Sequence, residues 1–346
     1  MYRLVLQKSV RVSGISECLH ITHVSTDRVW INDYDGKLIL TNTTGDILDR
    51  VTDLINCSGE VHTVTYIDSH DNIIKLSSDK VKTTVIPCTA PWRPLCVYSS
   101  PSTGDLLVGM WNTDTKKGQV NRYTNTGRHI QTIQHDNTGQ KLYSYPHYIT
   151  ENRNGDVIVS DFDRDAVLVT DSSGRHRFSY TGPPSGSLLK PRGICTDALS
   201  HILVCDRYTD TVKMIDRDGQ YLTETAQHRK DTPCGLSYDD ITRSLWVGSN
   251  KDNTVNIYRL IYGRGDLTDP SSDDLNKVDE LKKFLRKEKT TVSHARGILV
   301  GCAEAGKTTL LKRLRGQHQN VSEVTESTRG LEVHHHLFIV RHGILE

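Results

Sequence analysis

Asp156-Val157-Ile158-Val159-Ser160-Asp161 and His201-Ile202-Leu203-Val204-Cys205-Asp206 are two copies of one apolar run that closes on an aspartate. Ser244-Leu245-Trp246-Val247-Gly248-Ser249, Asp105-Leu106-Leu107-Val108-Gly109-Met110 and Arg28-Val29-Trp30-Ile31-Asn32-Asp33 repeat it with variations. Ahead of four copies lies a second apolar segment that begins at a proline: Pro94-Leu95-Cys96-Val97, Pro146-His147-Tyr148-Ile149, Pro191-Arg192-Gly193-Ile194 and Pro233-Cys234-Gly235-Leu236. A third segment follows, starting at Val120, Val167 or Val212 and ending at Gly127, Gly174 or Gly219, with a fainter copy from Leu38 to Gly45. Val120, Val167, Val212 and Val255 are spaced 47, 45 and 43 residues apart. A period near 45 that holds three or four short strands predicts propeller blades, because helical repeats of that length would show apolar spacing of about 3.6 residues.

The expected fold is therefore mainly β: a six-bladed β-propeller with blades near 14–54, 55–90, 91–140, 141–187, 188–230 and 231–262. The second blade keeps its alternation, in Val61-His62-Thr63-Val64-Thr65-Tyr66 and Asn72-Ile73-Ile74-Lys75-Leu76, and loses the landmarks. A ring of blades leaves an open sheet edge unless the two ends of the chain share a blade. The alternating segment 2–12 is placed to add the outer strand to the last blade.

Composition agrees with such a fold. The 346 residues carry a formal net charge of +1 and are 25% charged, so no global field grips nucleic acid or an acidic membrane. No stretch has the roughly 18 to 20 uncharged apolar residues of a membrane helix, and no secretory leader is visible, which points to the cytoplasm. The cysteines, Cys18, Cys57, Cys88, Cys96, Cys195, Cys205, Cys234 and Cys302, form no C-x-x-C pair and are expected to be reduced and mostly buried. Trp30 and Trp246 share a strand register and belong to the core, whereas Trp111 is expected in a loop inserted after Met110, as an exposed anchor.

The P-x-G-I, D-x-x-V-x-D and valine-to-glycine pattern resembles NHL repeats, the six-bladed propellers at the end of many tripartite-motif proteins, most clearly in the fourth and fifth blades. The resemblance implies a platform for a protein or an RNA in a family where ubiquitin ligases are common, so ubiquitin-ligase components supplied in trans are a candidate partner. The RING and B-box that carry ligase chemistry are not in this sequence.

Past Tyr262 the composition changes. Residues 263–274 collect Gly, Asp, Ser and Pro as a linker, and Leu275, Val278, Leu281 and Leu285 have helical spacing, giving a linker and connecting helix over 263–289. The segment 290–346 opens with the strand-like Gly297-Ile298-Leu299-Val300 and then Gly301-Cys302-Ala303-Glu304-Ala305-Gly306-Lys307-Thr308-Thr309, a full G-x-x-x-x-G-K-T before a helical run. The order has a mechanism. Glycines let backbone N–H groups curl around phosphates, Lys307 reaches the β- and γ-phosphates, and the Thr308 hydroxyl ligates Mg²⁺. Ser327-Thr328-Arg329-Gly330-Leu331 is similar to the first switch of Ras-like GTPases, especially Roc modules. That resemblance implies GTP with Mg²⁺ as cofactor and Thr328 as a second Mg²⁺ ligand, with Thr325 a competitor for the role. No Asp-x-x-Gly or Asn-Lys-x-Asp follows before Glu346, so this segment is expected to be an incomplete α/β P-loop module cut from a longer protein, with no catalytic residue assigned.

Weaker signals have plainer readings. His334-His335-His336 in a strand alternates faces and lacks a completing Cys or Asp, so a metal site is disfavoured. Asp33, Asp161 and Asp206 recur once per blade; they could be calcium ligands of a hydrolase, but a residue repeated at one blade position fits a role in tying backbone at strand ends. The clusters His176-Arg177 and His228-Arg229-Lys230 are matched by Asp171, Asp216, Asp218 and Asp231, and residues 1–262 hold 29 basic against 30 acidic side chains. A protein partner is favoured over RNA, with a regulatory or scaffold role as the expected function.

Overall fold

The computed structural model describes residues 2–261, apart from Thr26, Tyr34, 52–53, 60–62, 78–80, Ser185, Ser187 and 226–231, together with 340–341 and 344–345. The chain divides into two compact units, Met1–Asp266 and Leu267–Glu346. In the second, the described part is a pair of short antiparallel strands, and the expected connecting helix, the phosphate loop 301–309, Thr325, Thr328 and His334 to His336 lie outside the described residues.

The first unit is a ring of six four-stranded antiparallel sheets. An N-terminal strand, β1 (Arg3–Arg11), precedes the blades. Blade 1 holds β2 (His20–Ser25), β3 (Arg28–Asn32), β4 (Leu38–Asn42) and β5 (Ile47–Val51); blade 2 holds β6 (Leu54–Gly59), β7 (Thr63–Asp68), β8 (Ile73–Ser77) and β9 (Lys82–Ile86). Blade 3 holds β10 (Trp92–Ser99), β11 (Leu106–Asn112), β12 (Lys117–Tyr123) and β13 (His129–Ile133); blade 4 holds β14 (Pro146–Glu151), β15 (Val157–Asp161), β16 (Ala166–Thr170) and β17 (His176–Tyr180). Blade 5 holds β18 (Pro191–Thr196), β19 (Ile202–Asp206), β20 (Thr211–Ile215) and β21 (Tyr221–Glu224); blade 6 holds β22 (Pro233–Asp239), β23 (Ser244–Ser249) and β24 (Thr254–Ile261).

β1 supplies the fourth strand of blade 6, pairing antiparallel with β24 from Arg3↔Ile261 to Arg11↔Thr254 with a bulge between Leu6 and Lys8. Val10 and Val12 are buried in one cluster with Val29 and Ile31 of blade 1 and Trp246 and Val255 of blade 6. The start of the chain therefore seals the ring, as its alternation predicts.

Burial along each blade explains the sequence pattern. Every residue of β15, β16, β19 and β20 is buried, because a middle strand has a neighbouring blade on both faces, and such strands read as unbroken apolar runs. The outermost strands β5 and β17 alternate between less and more exposed positions, as strands with one covered face do. Gly127, which ends the third segment of blade 3, has φ of +86° and donates its amide to the Thr124 carbonyl at 2.9 Å. A Cβ there would lie 2.0 Å from the Val85 carbonyl oxygen of blade 2, so both backbone shape and the neighbouring blade demand glycine.

Trp111 departs from expectation. It lies inside β11, paired with Arg93 and Gly118, and not in an inserted loop. Asp105 to Met110 looks complete as a strand by itself, and the extension to Asn112 arises from pairing with the long β10. The Trp111 side chain is half-buried.

Candidate functional site

The first strand of each blade, β2, β6, β10, β14, β18 and β22, packs against the first strands on either side, so these six line the central axis. The recurring aspartate fixes where they begin. The Asp161 carboxylate accepts the backbone N–H of Ser144 at 2.6 Å and of Tyr145 at 2.9 Å, just ahead of β14. Asp206 accepts from Lys190 N at 2.9 Å, ahead of β18, and from Tyr208 N at 3.0 Å. Asp33 accepts from Lys37 N at 2.9 Å. These aspartates satisfy backbone donors, the plainer of the two sequence readings, and among the described residues no group of His, Cys, Asp and Glu is placed to hold a metal ion. Burial raises the Asp161 carboxyl above its usual range, an effect offset in part by the N–H groups it accepts.

One side chain spans the channel. Tyr148, in blade 4, donates its hydroxyl hydrogen bond to the Leu19 carbonyl, at the start of blade 1, at 2.8 Å. Those blades are not neighbours in the ring, so the bond crosses the axis. The Cys234 sulfur of blade 6 lies 3.4 Å from the same hydroxyl, and the His20 ring of blade 1 lies 5.7 Å from the Tyr148 ring. Beside it, His147 stands edge-on to Tyr148 at 4.7 Å between ring centroids and lies 5.8 Å from the Tyr145 ring and 6.4 Å from the Phe162 ring. The Phe162 ring carries two cations, Lys190 Nζ at 4.4 Å and the Arg192 guanidinium at 4.5 Å from its centroid. Outward, Tyr145 meets Trp111 at 5.7 Å, and Lys116 caps Trp111 at 4.6 Å. A chain of rings thus runs from the axis to the rim at the end where the inner strands begin.

Desolvation sets the charge of this mouth. Burial lowers His20 to about 4. Burial, reinforced by Arg192 and then by His20, lowers His147 to about 3. Both imidazoles are neutral at physiological pH, and the Nδ1 of each is buried with no hydrogen-bond partner. Burial also raises the Tyr148 phenol and the Cys234 thiol, so neither ionises there. Lys190 is neutralised by Asp165 at 2.6 Å and Arg93 by Asp71 at 2.8 Å, whereas no carboxylate among the described residues pairs with Arg192.

Several sequence candidates fall elsewhere. Trp30 and Trp246 are buried in the core, as expected. Arg177 is held by Asp156 and, at 2.9 Å, by Asp218, so its cluster is neutralised across blades. His228, Arg229 and Lys230 lie outside the described residues, as do Gly301, Cys302, Ala303, Glu304, Ala305, Gly306, Lys307, Thr308 and Thr309. Cys18, Cys96, Cys195, Cys205 and Cys234 are free and buried, and Cys88 is free and exposed. No described helix is long and apolar enough to cross a membrane. Sequence reasoning missed the mouth itself. Its signal lay in the slot after each proline, filled by His147-Tyr148, Arg192-Gly193 and Cys234-Gly235 between constant Pro and Ile or Leu positions.

No protein-family model and no curated protein matches the chain. Among solved structures it is similar to a putative gluconolactonase (TM-score 0.56, 14% identity, 74% of this chain and 94% of that one). It is also similar to a virginiamycin B lyase from Staphylococcus aureus (0.52, 14%, 75% and 100%) and to the WD40 β-propeller domain of Doa1 (0.51, 13%, 75% and 97%). The fold is that of a six-bladed β-propeller. At such identities the likeness concerns the ring and its blades, and the neighbours include both enzymes and a WD40 domain.

Proposed function

We propose that this chain is a regulatory or scaffold protein whose propeller recognises a protein partner at the mouth where the inner strands begin. The observation that carries the reading is a row of rings beside cations: the Tyr148 hydroxyl spans the axis to Leu19, and Phe162, Tyr145 and Trp111 belong to the rings that run outward from it, with Lys190 over Phe162 and Lys116 over Trp111. Aromatic side chains beside cations are the chemistry of interface anchors. The WD40 propeller domain of Doa1 has the same fold, and such propellers are typical interaction scaffolds. The finer placement is among NHL-like propellers, supported by the P-x-G-I, D-x-x-V-x-D and valine-to-glycine pattern.

The sequence 301–309 supports a second element of the proposal: a nucleotide module in which Lys307 and Thr308 hold the phosphates and Mg²⁺ of GTP, with Thr328 responding to the γ-phosphate. The test is affinity capture with the full chain and with Trp111→Ala and Phe162→Ala variants, each loaded with GTP or GDP. A specific partner lost in both variants supports recognition at the mouth; recovery that is unchanged in both overturns it. A recovery that differs between GTP and GDP supports the nucleotide module.

A further inference from the structure

Three cationic side chains are buried among the described residues: Arg122, Arg192 and Lys213. Two are neutralised twice over. Arg122 meets Glu151 at 2.8 Å and Asp105 at 3.5 Å, and Lys213 meets Glu224 at 2.6 Å and Asp206 at 3.4 Å. Arg192 is 8% exposed, its Nε is buried without a hydrogen bond, and no carboxylate among the described residues pairs with it. Its guanidinium lies over the face of Phe162, 4.5 Å from the ring centroid. His147, Tyr148 and Cys234 beside it are neutral: His147 is lowered by burial and by Arg192 itself, and burial keeps Tyr148 and Cys234 protonated. A mostly buried cation without a carboxylate is less favourable than a matched buried pair.

We propose that Arg192 is the carboxylate-binding residue of the mouth, taking the side chain of an aspartate or glutamate presented by the protein partner. This inference rests on the recognition reading and gives its partner a chemistry. The guanidinium lies over the Phe162 face, and a guanidinium edge offers the two-pronged donor geometry that a carboxylate accepts. The incoming charge is one unit. Lys190, on the same Phe162 ring, is already matched by Asp165, whereas a nucleic-acid backbone is held by a row of unpaired cations. Trp111, Tyr145 and Phe162 flank the position and cover the apolar part of the segment that carries the acid.

The test uses the full chain with small capped amino acids as probes. N-acetylglutamate amide raises the melting temperature of the wild type in a saturable way, and N-acetylglutamine amide at equal ionic strength does not. Arg192→Met keeps a long side chain over Phe162 and removes the charge. It melts at or above the wild-type temperature without probe and no longer responds to the acid. Arg192→Lys retains a charge without the fork and responds more weakly, by about tenfold in half-saturating concentration. Three results overturn the proposal: no response of the wild type to the acid at about 50 mM, an Arg192→Met variant that folds but melts several degrees below wild type, or a larger stabilisation by inorganic phosphate or oligouridylate than by the acid. Should Trp111→Ala lose a captured partner while Arg192→Met retains it, the carboxylate assignment falls and recognition at the mouth stands. Should neither variant change capture, both fall.

Discussion

Lowering the pH from 7.5 to 5.0 should destabilise the propeller through its two channel histidines. In the unfolded chain an imidazole takes up its proton near the ordinary value of 6.5, while in the fold burial lowers His20 to about 4 and His147 to about 3. The folded value lies below the unfolded one, so stability is fully present above about 6.5 and is lost as pH falls toward the folded value. One unit of displacement corresponds to about 1.4 kcal/mol, so at pH 5.0 each histidine contributes a loss of about 2 kcal/mol. The assay is urea unfolding of the wild type and of His147→Asn at a series of pH values and constant ionic strength. The informative quantity is the difference in their slopes, because other carboxylates and histidines are common to both proteins. The variant should lose about half of the channel contribution between pH 7.5 and 5.0. Parallel stability curves for the two proteins would refute the reasoning, since they would mean that the His147 ring is solvated in the fold and titrates as it does in the unfolded chain.

Deletion of residues 1–12 removes the strand that pairs with β24 and exposes the cluster holding Val10, Val12 and Trp246, so the melting temperature should fall by about 10 °C or more; an unchanged value would show that the ring closes without β1. Gly193→Ala should destabilise by about 1 to 3 kcal/mol, because the added Cβ would sit 2.1 Å from the Cys234 carbonyl oxygen of the next blade; a neutral effect in chemical unfolding would contradict that approach. Tyr148→Phe should cost about 1 to 2 kcal/mol by stranding the Leu19 carbonyl, with hydrogen exchange at residues near Leu19 accelerating as the second readout. Lys307→Ala should abolish binding of fluorescent GTP in the presence of Mg²⁺ if the 301–309 loop cradles phosphates, and equal binding by wild type and variant would remove the nucleotide module from the proposal.

The ring was readable in the sequence because a blade is a local object. Its strands are consecutive, its turns demand glycine at fixed places such as Gly127, and its middle strands are continuous apolar runs such as Val157 to Asp161. Even the degenerate second blade is found at β7 and β8, close to its expected alternation. The mouth was not readable in the same way. Tyr148 meets Leu19 across 129 residues of sequence, and Arg192 reaches Phe162 from the adjacent blade. Neither contact has a periodic signature. The aspartates were visible for the opposite reason, since a backbone clamp that serves every blade repeats with the blade.

The division between what repeats and what varies also locates recognition. Six identical inner strands would give a channel of six-fold regularity, with one chemistry around its whole circumference. The slot after the proline breaks that regularity. Gly193 and Gly235 let β18 and β22 approach their neighbours so closely that a Cβ would meet backbone at 2.1 and 3.0 Å, and Tyr148 of blade 4 crosses the axis to Leu19. Small residues in two blades and one large ring in a third are one packing solution. Arg192 occupies the same slot, with its guanidinium over Phe162. Changes at the prolines, the strand-end aspartates or the glycines therefore alter the ring, whereas changes at His147 and Arg192 test the proposed recognition at the mouth. At 13 or 14% identity the likeness to solved structures accordingly extends to the fold alone.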